Sequence, residues 1–468
     1  MQRLHPDTCA APYARALLAQ GIVHLGVGAF QRAHMAQATD AAIGATGDLR
    51  WGIAGVSLRS PDTRDALGPQ QGLYTLAIRD ADEHGMPRER LQVIHCLTTL
   101  LVAPEDPAAV TELIASAATR IVSLTVTEKG YLDTRPGSTL DALARGLALR
   151  HARAAAPVTL MSLDNLPSNG EVLRERLLAH ARGANAELAR WIEEHCTFPC
   201  SMVDRIVPRT TSADRERISA HLGLRDVWPV VGEPFFDWVI EDRFAAGRPE
   251  WQHGGARFVT DAKPFETLKL RMVNGAHSAL AYLGAMAGWR TVDQAIAVPA
   301  LRRFLDALMR DEIAPTLPAL AGLDLGAYRA RLLQRFANPA LQHQTRQIAM
   351  DGSQKLPQRL LGAVRDRLAA GAPIDRLALA VAAWLHYLRG VDELGASHDI
   401  QDPLAPALAA ELSRADASGS VQGSVALFTA FEPVFGELGR EPRFVNAVAL
   451  QLASLRQRGV LATLEALP

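Results

Sequence analysis

The sequence predicts an α/β N-terminal half followed by a mostly α-helical C-terminal half, and three observations support this. Gly21-Ile-Val-His-Leu25 is a short β-type run that leads directly into Gly26-Val-Gly28 and then a helix-forming stretch. Residues 120–127 and 158–163 are apolar and β-branched enough to be strands buried on both faces, as in a parallel sheet. From Pro264 onward, strand patterns give way to long Ala/Leu/Arg-rich helical patterns through Leu467. At 468 residues the chain exceeds what one core ordinarily serves, so we place two domains, 1–263 and 264–468.

Strand, glycine turn and helix together form the opening of a dinucleotide-binding unit. Gly26 permits the tight turn and Gly28 the close approach of backbone to a pyrophosphate, whose charge then meets the helix beginning at Ala29 and Phe30. Arg32 stands near the place of the usual third glycine, and a purely structural turn is the alternative. Residues 51–58 read as the second strand, whose end should meet the adenosine ribose. Arg59-Ser60-Pro61-Asp62 follows: Asp62 favours NAD, Arg59 keeps NADP open, and either residue also suits a solvated turn.

Residues 73–78 and 91–95 are further strand candidates, joined by a polar connection at 80–90. The run at 120–127 ends in Glu128-Lys129-Gly130-Tyr131, which makes Thr127 to Lys129 candidate site residues, because ligands bind beyond the C-terminal ends of parallel strands. The run at 158–163 repeats the pattern and ends in Asp164-Asn165. Residues 347–357, Gln347 through Lys355 to Pro357, read as a loop.

With 48% hydrophobic residues, 21% charged and a net charge of −1, the chain has the composition of a soluble globular protein. No basic stripe points to nucleic acid, and no run of about 18 uncharged apolar residues points to a membrane. The first twenty residues lack the apolar core of a signal peptide. Four scattered cysteines suit a reducing compartment, and Cys196-x3-Cys200 has no second Cys/His pair at metal-site spacing. The expectation is a cytoplasmic protein without a metal, monomeric or weakly oligomeric, acting on a small molecule.

Of the 49 basic residues only Lys129, Lys263, Lys269 and Lys355 are lysines. A guanidinium cannot release its proton near neutral pH, whereas a buried ammonium can, so a retained lysine is a candidate for proton transfer. On an α-helix, at about 100° per residue, Asn274 lies about 140° and His277 about 80° around from Lys269. A base, an amide and an imidazole on one broad face suit reaction at a carbon bearing a hydroxyl, while an amphipathic helix with a polar stripe is the alternative.

Six motifs in this order resemble the polyol-specific long-chain dehydrogenases, which include mannitol 2-dehydrogenase and fructuronate reductase (mannonate oxidoreductase). They are Gly26-Val-Gly-Ala-Phe-Gln-Arg-Ala-His34, Thr125-Val-Thr-Glu-Lys-Gly-Tyr131, Asp164-Asn-Leu-Pro-Ser-Asn-Gly170, Met202-Val-Asp-Arg-Ile-Val-Pro208, Lys269-x4-Asn274-x2-His277 and Asp351-Gly-Ser-Gln-Lys355. The resemblance implies a Rossmann-type N-terminal domain, a helical C-terminal domain and metal-free, NAD(P)-dependent oxidation of a secondary alcohol. Carried over by motif, Lys269 is the general base, Asn165 and Asn274 hold the substrate oxygen, and His277 binds substrate. Short-chain dehydrogenase chemistry would need Tyr-x3-Lys, and none of the six tyrosines has it.

The chain departs from the family pattern in three places. Gln31 stands where many relatives have histidine, the segment between Tyr131 and Ser162 is shorter, and Gln347 occupies the position of the mannitol dehydrogenases' arginine, as in the fructuronate reductases. Lys129, Lys355 and Gln347 are therefore the expected substrate-binding residues. The expected reaction is polyol to ketose with NAD preferred; the mannonate/fructuronate pair comes second, and an inactive nucleotide-binding relative is the alternative from another class.

Overall fold

The computed structural model describes residues 1–82, 86–320 and 323–467, apart from the side chain of Glu128. The centre of the expected 80–90 connection thus lies outside the described residues. The chain divides into two compact units between Glu266 and Thr267.

In the first unit the described strands are, in order, β1 (Ile22–Leu25), β2 (Ile53–Ser57), β3 (Tyr74–Ala81), β4 (Pro87–Ile94), β5 (Leu97–Val102), β6 (Ile121–Leu124), β7 (Thr159–Ser162), β8 (Ser201–Asp204), β9 (Val230–Gly232), β10 (Asp237–Glu241) and β11 (Ala256–Val259). The central sheet runs β5-β2-β1-β6-β7 and is parallel throughout. Strand order reverses at β1, so the crevice beyond the C-terminal ends of β1 and β6 is the switch point where such sheets bind ligands. Successive residues pack into two cores on opposite faces: Ile22, Ile53 and Ile121 to one, Val23, Ala54 and Val122 to the other. Burial on both faces is why these strands read as continuous apolar runs.

The candidates at 73–78 and 91–95 are strands of a separate sheet, β4-β3-β9, in which β3 and β4 are antiparallel from Tyr74↔Ile94 to Ala81↔Pro87. Residues 80–81 and 87–90, expected in the polar connection, belong instead to these strands; in β4 only Ile94 is buried and the rest are exposed or half-buried, so its side chains lack the apolar alternation of a buried strand.

The second unit is helical, with no named strand among its described residues. Its centre is the helix Ala276–Met286, buried at every position, packed with the helix Asp375–Tyr387. A helix enclosed on all sides needs apolar residues all round, which is what this stretch has apart from His277, Ser278 and Tyr282. The expected loop at 347–357 is largely helical: Thr345–Ala349 and Gly352–Leu356, broken by Asp351 at φ 56. Gly352 is required there, since a Cβ would come within 2.2 Å of Trp384 Nε1. The four cysteines are free thiols, and no described helix is long and apolar enough to cross a membrane.

Candidate active site

At the switch point, Gly26 takes φ 98 and its missing Cβ would lie 2.2 Å from Thr125 O, so only glycine closes this turn. A Cβ on Gly28 would meet nothing but Gly26 O at 3.7 Å. The space in front of the helix starting at Ala29 is therefore open to a phosphate, which fits a dinucleotide cradle. Sequence reasoning missed the residue that fixes this turn, His24. Fully buried on β1, its ring contacts Ser123 Oγ at 2.8 Å, Thr125 Oγ1 at 3.0 Å and Gly26 O at 3.3 Å. Burial pulls its pKa down to about 3, so it serves as a neutral hydrogen-bonding brace. The only signal was a histidine within an apolar strand.

Asp164 is a second brace. Its carboxylate accepts from the backbone amides of Val126 and Thr127 at 3.0–3.1 Å and from the Tyr131 hydroxyl at 2.7 Å, tying the ends of β6 and β7 together. Thr127 is held at φ 62 as a result. Asn165 follows in the turn beyond β7, with an exposed side chain.

Arg59 and Lys129 line one cavity of about 880 Å³ at the ends of β2 and β6, with Val126, Leu132 and Thr139 among its walls. Asp62, exposed at the first turn of the helix Asp62–Leu67, accepts from Ser60 Oγ at 2.8 Å. The cations expected at the ribose and at the substrate thus share one pocket of the first unit.

In the second unit Lys269, Asn274 and His277 are 5%, 8% and 9% exposed. The first two lie not on an α-helix but on a π-helical turn, Lys269–Gly275, that leads into Ala276–Met286. The 100° spacing does not hold there: i→i+5 bonding widens the turn, bringing residue 274 around over residue 269. Lys269 and Asn274 therefore lie closer to one face than the sequence geometry gave. Asn274 Nδ2 and His277 Nε2 are buried without a protein partner among the described residues. Leaving such groups unpaired costs about 1–3 kcal/mol each, so a ligand oxygen that completes them gains that much.

His277 stacks on Phe336 at 4.8 Å and meets the edge of His343 at 5.3 Å. Burial first, then the neighbouring imidazole of His343 and the charges of Arg359, Arg335 and Lys355, hold it well below the usual histidine pKa. Lys355 is half-buried and donates to Ile348 O at 3.1 Å, whereas Gln347 is exposed on the helix Thr345–Ala349.

A doubly wound sheet with a glycine cradle, together with a buried lysine, amide and imidazole on one helix, defines an oxidoreductase of the dinucleotide-dependent kind. Residues 20–253 match the mannitol dehydrogenase Rossmann domain and residues 261–456 the mannitol dehydrogenase C-terminal domain. The chain belongs to the mannitol dehydrogenase family. It is 42% identical to D-mannonate oxidoreductase of Escherichia coli strain K12, over 95% of each chain. It is 37% identical to mannitol 2-dehydrogenase of Pyrenophora tritici-repentis, over 97% of this chain and 82% of that one. The solved ternary complex of Pseudomonas fluorescens mannitol 2-dehydrogenase with NAD and D-mannitol superimposes with a TM-score of 0.89 at 38% identity, covering 97% of this chain and 95% of that one.

Proposed function

We propose that this chain interconverts a linear polyol, or the related sugar acid, with its ketone, using NAD and Lys269 as general base. The observation that carries the reading is the π-turn that holds Lys269 and Asn274 buried and leads directly into the helix that carries His277. In the oxidative direction neutral Lys269 accepts the hydroxyl proton, the C–H bond breaks with its electron pair leaving as hydride, and the carbonyl forms. NAD, when bound, supplies the hydride acceptor. Asn274 steadies the alkoxide-like oxygen through the Nδ2 that lacks a protein partner, a contribution of about 3 kcal/mol to the barrier for donors of this kind. Asn165 is assigned as the second amide on the family motif. His277, held neutral, is a substrate-binding group. Gly26, Gly28, Ala29, Phe30 and Thr127 form the dinucleotide cradle, with Asp62 on the ribose hydroxyls. The solved complex of the Pseudomonas fluorescens relative with NAD supports the choice of carrier, and the relatives named for mannitol and mannonate support the substrate range.

The test is nicotinamide reduction with a panel of hexitols, pentitols and hexonates. Lys269→Ala should lower kcat by about a thousandfold or more, since removing a general base commonly costs about 10² to 10⁴ and the alkoxide balance suffers as well. Lys269→Arg should not restore it, because a guanidinium keeps its proton. Near-normal turnover in the arginine variant would overturn the proton-transfer role, and no reduction with any member of the panel would favour a nucleotide-binding protein without chemistry.

A further inference from the structure

Two imidazoles meet inside the helical unit, and His343 is the one without a role. Its ring stands edge-on to His277 at 5.3 Å and 68°, while Phe336 covers His277 from another side at 4.8 Å and 23°. The backbone of His343 is pinned: its carbonyl accepts from Val292 N at 3.0 Å, and the next residue, Gln344, pairs with Thr291. The ring nevertheless turns inward, and its Nδ1 is buried without a protein partner among the described residues, as is Nε2 of His277. Simple packing would be served by an apolar side chain, which leaves no such nitrogen to satisfy.

The surroundings of the pair are rich in donors. The cations Arg359, Arg335 and Lys355 act on His277, and Lys355 acts on His343 as well. Lys355 Nζ is fixed by Ile348 O at 3.1 Å, and Arg359 Nη1 by the hydroxyl of Ser278, the residue after His277, at 3.1 Å. Burial and the positive neighbour pull His343 down to about 4, so it is neutral at pH 7 and can present one N–H.

We infer that His343 is a substrate-binding, specificity-determining residue, which with His277 and Lys355 forms a subsite for a carboxylate at the end of the substrate chain, so that sugar acids are preferred over polyols. This rests on the polyol or sugar-acid reading above. A carboxylate is acceptor-only and can take a bond from each imidazole and from the ammonium, all charge-assisted. A primary hydroxyl meets the same donors with fewer acceptor sites and no charge.

The test uses the full chain with reduced dinucleotide present. Calorimetric titration of the wild type should give a Kd for D-mannonate at least tenfold below that for D-mannitol. His343→Gln should raise the Kd and KM for mannonate at least tenfold and those for mannitol by a severalfold smaller factor. His343→Asn is the second variant should glutamine prevent folding, and the wild-type comparison needs neither. Equal or weaker binding of mannonate by the wild type, or equal losses for both compounds in the variant, overturns the inference. Selective mannonate binding that depends on His343, without any nicotinamide reduction, upholds the subsite and refutes the dehydrogenase reading; brisk mannitol turnover with no mannonate binding does the reverse.

Discussion

Replacing Glu266 by glutamine should make the protein more stable in alkaline than in acid solution relative to wild type. Glu266 is 6% exposed; its Oε2 accepts from Ser168 N at 2.8 Å and its Oε1 has no protein partner among the described residues. Desolvation by burial, opposed by that amide and by Lys263 and assisted by Glu241 and Glu171, pushes its pKa up from 4.5 to about 7. At about 1.4 kcal/mol per pH unit, ionising it in the folded state costs about 3 kcal/mol more than in the unfolded chain. The folded form holds the extra proton between pH 4.5 and about 7. Stability is therefore full below that window, falls as pH rises through it, and has lost the whole contribution above it. Glu266→Gln does not titrate, so the difference in unfolding free energy, variant minus wild type, should rise by about 2–3 kcal/mol between about pH 5 and about pH 8. Its absolute offset reflects the amide hydrogens that take the place of Oε1 and does not vary with pH. Urea unfolding followed by fluorescence reads the effect, because Trp238 and Trp251 are fully buried in the same unit. A difference that stays constant across this range would refute the reasoning.

Gly26→Ala places a Cβ 2.2 Å from Thr125 O at φ 98, so dinucleotide affinity should fall at least tenfold, by fluorescence titration with NADH, and the melting temperature should drop. Unchanged affinity would mean that the turn takes no part in binding. Asp62→Ala should narrow the preference for NAD over NADP by about tenfold, the effect of losing a charge-assisted hydrogen bond to the ribose. If wild-type protein reduces NADP faster than NAD at equal concentration, Arg59 rather than Asp62 reads the ribose.

Much of the fold and of the candidate site was legible in the chain itself. A scarce lysine among many arginines singled out Lys269, and ordered local motifs marked the glycine cradle and the turns after buried strands, because turn geometry and burial on both faces act through neighbouring residues. Strand β5 and the partners of β3 were not legible: pairing Leu97 with Ile53 or Leu76 with Val230 joins residues far apart in sequence, and such register leaves no local periodicity.

Local patterns along the chain account for the two-part organisation, the strand character of residues 22–25, 121–124 and 159–162, and the residue types available for proton transfer. How those residues are presented follows from packing between distant segments. A π-turn differs from an α-turn by one residue of hydrogen-bond register and carries no composition of its own, so the alignment of Lys269 with Asn274 could not be read from spacing. The braces at His24 and Asp164 and the approach of His343 to His277 likewise arise from contacts across tens of residues, set by how the strands and helices pack.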